Sequence, residues 1–421
     1  MKWQSILLVI MILFSHSVKM IYSQSGCWTT KSDMPTARIW SSGCEADGKI
    51  YVFGGYTPVA SSVVEMYDPS TDSWIIKKHM PQKLLGSATC CVNKKIYIIG
   101  GMTSMSGTAL SSVYVYDLET ESWETKTPAP MPTARGYASA SVVAGKIYVI
   151  GGVSSGIQTS YDVVEVYDPG KDLWKTKASM PTVRNALTTS VVDGIIYAIG
   201  GTVDSPWPGF DVVEAYNPVS DSWTLKANMN VKRWSHTSAV VGGKIYVAGG
   251  ANLGVELSSL EVYNPINNTW EIKTHMIQKR AGLVSGVVNG KIYTIGGGIR
   301  QDKNDVVILP IVEEYNPALD LTDVEESGNL KALPTEYNLY QNYPNPFNPL
   351  TKIRYSVPQS STVVIKVFDI LGNEIETLVN VVKPAGSYEL NWNAENLPSD
   401  VYFCKMQSGN FVETKKMILV K

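Results

Sequence analysis

Lys146-Ile147-Tyr148-Val149-Ile150-Gly151-Gly152 is a strand-like apolar run closed by a glycine pair, and it is one of six such runs in 421 residues. The pairs fall at 54–55, 100–101, 151–152, 200–201, 249–250 and 296–297, in steps of 46, 51, 49, 49 and 47 residues. A fixed period of this size marks a repeat architecture, in which one array folds as a single body. That outranks the count of about three domains that length alone would suggest.

Around each glycine pair the unit reads as four short strands. In the third unit these are a small-residue strand a (Gly136 to Val143), strand b (Lys146 to Ile150), strand c (Val163 to Pro169) and strand d (Leu173 to Lys177). Asp-Pro and similar pairs punctuate the turns. A tyrosine and a tryptophan recur seven residues apart (Tyr67/Trp74, Tyr116/Trp123, Tyr167/Trp174, Tyr216/Trp223, Tyr263/Trp270). A methionine stands twenty residues before every pair: Met34, Met80, Met131, Met180, Met229 and Met276. Large apolar side chains at fixed repeat positions are expected to be core between neighbouring units. The sixth unit has Tyr315 but threonine at 322, where its tryptophan should be. Trp28, 26 residues before Gly54, has the spacing of the missing residue. The N-terminal segment is therefore expected to supply the outer strand of the last unit, closing a ring with no exposed sheet edge. The expected fold is all-β: a six-bladed β-propeller over residues 24–320.

The glycine pair, the Tyr…Trp spacing and the following Met-Pro resemble kelch repeats, over about 290 residues. The resemblance implies an interaction scaffold more often than an enzyme, although some kelch propellers are catalytic, among them sialic-acid mutarotases and copper radical oxidases.

In an up-and-down blade the b–c and d–a loops share one face. The b–c loops vary most (56–61, 102–111, 153–161, 202–210, 251–258 and 299–307), and variable loops on a rigid scaffold are the usual place for recognition. The fourth holds Asp204-Ser205-Pro206-Trp207-Pro208-Gly209-Phe210. Trp207 and Phe210 either stack on a sugar or peptide or fold back on the neighbouring blade. Arginines stand sixteen residues before five of the pairs: Arg38, Arg135, Arg184, Arg233 and Arg280. Beside Trp40, Tyr137 and Trp234 they would ring the channel mouth and invite an anion. A second reading pairs each arginine with a glutamate two residues before the repeat tyrosine: Glu65, Glu165, Glu214, Glu261 and Glu313. The second unit lacks both partners, having Leu84 and Tyr114 instead. That joint absence favours a pair within each blade, reaching across strand b.

Net charge is −2, with no long run of one sign, and nothing in it supports a nucleic-acid footprint. Few histidines, and no nucleophile motif or phosphate loop, leave no metal, cofactor or catalytic residue to expect. The five cysteines are an odd count with Cys90 and Cys91 adjacent, which reads as buried thiols and not as a disulfide framework.

Both ends read as addresses. Lys2 followed by the apolar run Ile6 to Phe14 is too short to span a bilayer and fits a signal peptide, residues 1–23, cleaved after Ser17 or, preferably, Ser23. Cys27 lacks the apolar residue expected three before a lipoprotein cysteine. Residues 321–336 read as a linker. From Tyr337, six alternating strands separated by turns predict a small β-sandwich over 337–421. Tyr343-Pro344-Asn345-Pro346-Phe347-Asn348-Pro349, Asp369-Ile370-Leu371-Gly372, Val401-Tyr402-Phe403 and the closing Thr414 to Lys421 resemble the type A C-terminal sorting domain of the type IX secretion system. Asp400, where glycine is usual, and Cys404 depart from the pattern. The resemblance implies contact with the secretion machinery, passage through the outer membrane, and surface display or release, with no transmembrane segment in the mature chain. The expected function is a secreted or surface kelch protein that binds a protein or glycan through its b–c face. The rival is an exported sugar-modifying enzyme similar to sialic-acid mutarotases.

Overall fold

The computed structural model describes residues 27–125, 127–203, 207–302, 305–319, 336–342, 344–383 and 386–421. The signal peptide expected over residues 1–23 with its two cleavage positions, Asp204 to Pro206 and residues 320–335 lie outside the described residues. The chain divides into two compact units that part between Val324 and Glu325. No helix is long and apolar enough to cross a membrane, among the described residues.

The first unit contains six four-stranded antiparallel sheets. In the third blade, strand a is Ser139–Val143, b Lys146–Ile150, c Val164–Asp168 and d Leu173–Thr176. Strand a starts three residues later than expected because Tyr137 turns with a positive φ of 52°. Strand c stops before Pro169, whose missing N–H cannot join the ladder. The b strands are the most buried, from Ile147 to Ile150 in this blade. The inner strands use small residues because they crowd around the axis. A Cβ on Gly43 would sit 2.5 Å from the Tyr51 carbonyl oxygen.

The ring closes as the tryptophan spacing requires. Trp28–Lys31 pairs antiparallel with Val312–Tyr315, placing Trp28 opposite Tyr315. Each repeat tryptophan packs on its blade's tyrosine with ring centroids 4.9–5.2 Å apart. Each also donates its indole N–H to a backbone carbonyl of the preceding blade: Trp28 to Thr274, Trp74 to Ser32, Trp123 to Lys78, Trp174 to Ala129, Trp223 to Ala178 and Trp270 to Ala227, at 2.7–3.0 Å. The tryptophan is thus a latch between blades as well as apolar filling. The six repeat methionines are buried. So are Cys27, Cys90 and Cys404, and all five cysteines are free thiols.

The second unit is a sandwich. A three-stranded sheet (Asn338–Leu339, Leu350–Val357, Gly386–Asn393) stands with a four-stranded sheet (Glu374–Lys383, Ser361–Phe368, Val401–Ser408, Phe411–Ile418) around one core that includes Phe347, Trp392, Tyr402 and Met417. The opening motif is fastened to the last strand: Phe347 bridges Leu419, and the Asn345 side-chain oxygen accepts the Ile418 N–H at 2.8 Å. Asp400 is accommodated, its carbonyl accepting the Leu419 N–H.

Glu314 locks the ring closure. It receives Lys31 from the closing strand at 3.0 Å, Lys291 at 2.8 Å and the Tyr293 hydroxyl at 2.8 Å. Burial alone would raise its carboxyl, but these three donors together hold it below the usual carboxylate value. A depressed folded-state value contributes stability that is present above the unfolded value, about 4.3, and is lost as pH falls through the folded value. The stability gap between the wild-type protein and Glu314→Gln, measured by thermal melting from neutral to acid pH, is therefore expected to narrow below about pH 4. A gap that stays constant with pH contradicts this assignment.

Candidate functional site

The five repeat arginines are buried, none more than 1% exposed. Each meets its own blade's glutamate, as Arg38–Glu65, Arg135–Glu165, Arg184–Glu214, Arg233–Glu261 and Arg280–Glu313, at 2.5–3.0 Å. Further guanidinium donors go to backbone carbonyls, such as Gly54 and Val63 for Arg38, while the Nε of Arg38 and of Arg135 have no partner among the described residues. The glutamates also accept the hydroxyls of Thr36, Thr133 and Thr182. Burial pulls Arg38 and Arg184 down to about 10 against the pull of the carboxylates, so both remain cationic at neutral pH. The ligand-facing role expected of Arg38, Arg135, Arg184, Arg233 and Arg280 therefore falls away, because each guanidinium is buried and paired with its own blade's carboxylate. In blade two, Leu84 fills the arginine position as a buried side chain.

What the arginines position is the residue two places on. In all six blades the N–H of this residue donates to the carbonyl of its counterpart in the preceding blade: Trp40 to Gly282, Gly86 to Trp40, Tyr137 to Gly86, Ala186 to Tyr137, Ser235 to Ala186 and Gly282 to Ser235, at 2.7–2.9 Å. The six bonds form a closed ring around the channel mouth, a neck made of backbone. Every member has a positive φ, between 49° and 69°. Glycine accepts this without strain, while tryptophan, tyrosine, alanine and serine do not. The aromatics sit over the glycines. A Cβ on Gly86 would lie 2.9 Å from the Tyr137 ring, and one on Gly282 3.0 Å from the Trp40 ring.

Above the neck lies an open cavity of about 90 Å³, lined by Trp40, Met105, Tyr137, Ile157, Asn185, Ala186, Thr202, Trp207, Trp234 and Arg300. Every blade contributes. Trp40 and Tyr137 meet edge to face at 6.3 Å, and Trp207 lies 6.1 Å from Trp234 of the next blade. Trp207 thus folds onto its neighbour and lines the cavity at once. Phe210 does not join it: its backbone bridges Arg233, and its ring is not part of the lining. Burial keeps the Tyr137 hydroxyl neutral. The Trp234 indole N–H is buried with no hydrogen-bond partner. Of the predicted residues the structure gathers Trp40, Tyr137, Trp207 and Trp234. Met105, Ile157 and Arg300 were not singled out in the sequence, although each falls within a variable b–c loop.

Below the neck the channel wall is hydroxyl-rich, with cross-blade contacts such as Ser139–Thr189 at 2.8 Å and Ser190–Ser238 at 2.9 Å. His236 is buried in this wall. Its own burial, then the cations of Arg233 and Arg184, hold it well below the usual imidazole value, so it is neutral. Among the described residues no three His, Cys, Asp or Glu side chains cluster to hold a metal.

Comparison with known families agrees with this geometry. Residues 44–231 match the KLHDC2/KLHL20/DRC7 Kelch-repeats domain, and residues 233–277 match the Kelch motif. The chain is a kelch-repeat protein. Residues 341–421 of this kelch protein match the secretion system C-terminal sorting domain. Among curated proteins it is similar to beta-scruin of Limulus polyphemus, 29% identical over 154 residues that make up 34% of this chain and 17% of that one. It also resembles an F-box/kelch-repeat protein of Arabidopsis thaliana, 45% identical over 64 residues, 15% and 16% of the two chains. This chain spans about a sixth of the length of these relatives. The solved structure of YjhT shares the fold, with a TM-score of 0.57 at 16% identity, over 66% of this chain and 99% of that one.

The buried pairs lead to a direct test. Arg184→Leu leaves Glu214 buried and unpaired, and is expected to cost about 3–5 kcal/mol in chemical denaturation. Adding Glu214→Tyr recreates the blade-two arrangement and is expected to recover much of that loss. A double variant no more stable than the single one contradicts the pairing account.

Proposed function

We propose that this kelch protein is an exported binding module. Its sorting tail directs it through the type IX secretion machinery to the cell surface or the medium, and its propeller takes a protein or glycan ligand on the b–c face. In this reading residues 1–23 are a cleaved leader, 24–320 the propeller, 321–336 a linker and 337–421 the address. The observation that carries the binding role is the convergence of Trp40, Tyr137, Trp207 and Trp234, from four blades, on one open cavity. Large aromatics left half-exposed in a concave site are the usual core of a recognition surface. Holding Trp40 and Tyr137 in a backbone conformation that costs on the order of 1–3 kcal/mol each supports a role for their side chains beyond folding. The rival, a sugar-modifying enzyme similar to sialic-acid mutarotases, relies on arginines and a carboxylate open to the pocket. The repeat arginines, buried against their glutamates, no longer serve it.

Two measurements test the proposal. Ligands selected by the full-length protein from a glycan array and a random peptide library are expected to lose binding to Trp207→Ala. Ligands that all bind the variant as well as the wild type would place recognition elsewhere. Deleting residues 337–421 is expected to retain the protein inside the cell, and continued appearance outside would contradict the sorting role.

A further inference from the structure

The cavity above the neck has a chemistry that discriminates between ligand classes. Its lining holds one charged side chain, Arg300, which has no hydrogen bond or ion pair among the described residues. It holds one unpaired buried donor, the Trp234 indole N–H. Three further donors of the lining are directed to protein atoms: the Asn185 Nδ2 to the Ser160 hydroxyl at 2.8 Å, the Thr202 hydroxyl to the Pro208 carbonyl at 2.9 Å and the Tyr137 hydroxyl to the Met105 sulfur at 3.7 Å. Among the described residues no carboxylate lines the cavity. A sugar brings hydroxyls that need acceptors as well as donors, and burying them unpaired is costly. An apolar side chain needs neither. Buried aromatic side chains cover about 150–250 Å² each, which suits a cavity walled by three tryptophans and a tyrosine.

The surroundings point the same way. Arg300 lies on the hairpin Gly298–Asp302/Asp305–Ile308 in the b–c loop of blade six. Its guanidinium is 3.7 Å from where a Cβ on Gly254 would stand, at the tip of the neighbouring hairpin Ala251–Asn252/Val255–Glu256. Leu253 and Val255 flank that glycine and are exposed, as is Val59 on the b–c loop of blade one. Exposed apolar loop tips around an aromatic cavity are the anatomy of a protein interface, where a buried anchor is surrounded by contacts that exclude water.

Resting on the reading that the b–c face binds a ligand, we infer that this ligand is a protein segment that inserts one bulky apolar or aromatic side chain among Trp40, Tyr137, Trp207 and Trp234, and sets a neighbouring Asp or Glu carboxylate against Arg300. Arginine matches a carboxylate geometrically as well as in charge. The two contacts are separable, since one is apolar and salt-insensitive and the other is an ion pair weakened by salt.

The neck supplies a clean variant. Trp40→Gly removes an anchor wall at a position where blades two and six already carry glycine, so it keeps the backbone ring. The full-length protein is panned against a random peptide library, with Trp40→Gly and Arg300→Gln as comparators and a glycan array in parallel. Enriched peptides are expected to share a bulky apolar residue beside Asp or Glu. A synthetic peptide of that consensus is expected to weaken about tenfold or more on each variant. Changing its acid to the amide is expected to weaken wild-type binding similarly, and to add nothing on Arg300→Gln. Enriched peptides without the acid, or full affinity on Arg300→Gln, overturn the inference. Glycan binding lost on Trp40→Gly with no peptide enrichment overturns the inference and leaves the binding face standing. Silence from both libraries sinks both.

Discussion

One backbone hydrogen bond, made six times, sets the rest of this propeller. The N–H of the second glycine of each pair donates to the carbonyl at the arginine position of the following blade, at 2.8–3.1 Å: Gly55 to Leu84, Gly101 to Arg135, Gly152 to Arg184, Gly201 to Arg233, Gly250 to Arg280 and Gly297 to Arg38. The donor residues hold φ between 93° and 108°. A side chain is strained there whatever the space, and on Gly297 its Cβ would lie 2.7 Å from the Ala281 carbonyl oxygen. The arginine is then held twice. Its backbone is tied to the preceding blade, and its side chain is tied by the glutamate to its own. Where the pair is missing, in blade two, the backbone bond persists through Leu84. The hydrogen bond is the shared element, and the ion pair is reinforcement within a blade.

That bond fixes where the functional surface can be. Two residues beyond it the chain enters the neck, where six peptides bond to one another around the axis. Placing non-glycine residues in a left-handed conformation is unfavourable, yet four of the six neck positions do so, two with large aromatics. The strain is sustained because the neighbours determine the backbone from both sides: the glycine-pair bond upstream and the inner strand downstream. Trp40 and Tyr137 are thereby aimed over Gly282 and Gly86 into the cavity, on backbone hydrogen-bonded to both neighbouring blades. The variable b–c loops add Met105, Ile157, Trp207 and Arg300 above this fixed floor. The arrangement separates the two demands on a binding scaffold, a floor set by the repeat and walls free to vary.

The fold was legible because the repeat acts as a ruler. From the glycine pair, Trp28 measured out as the missing outer-strand tryptophan, and the joint absence of arginine and glutamate from the second unit identified their pairing. The face was legible too, since strand direction alone puts the b–c and d–a loops together. Two things were not. Whether an arginine at a repeat position faces the channel or its own blade depends on a side-chain direction that spacing does not encode, and the pairing with glutamate decides it. The neck was hidden because its four non-glycine members give no compositional sign of a positive φ. Gly86 and Gly282 at the same repeat position were the available hint. Phe210 is not part of the cavity lining: it is close to Trp207 in sequence, but its backbone bridges Arg233.

The central claim is that the binding face stands on a closed, mutually supporting ring of backbone hydrogen bonds. Native-state hydrogen exchange followed by mass spectrometry reads this directly at the amides of Trp40, Gly86, Tyr137, Ala186, Ser235 and Gly282. The account predicts that all six exchange slowly and together, only through opening of the propeller as a whole. If any of the six exchanged at the rate of the surrounding loops while the b strands stayed protected, the ring would not be the support described, and the account would be contradicted.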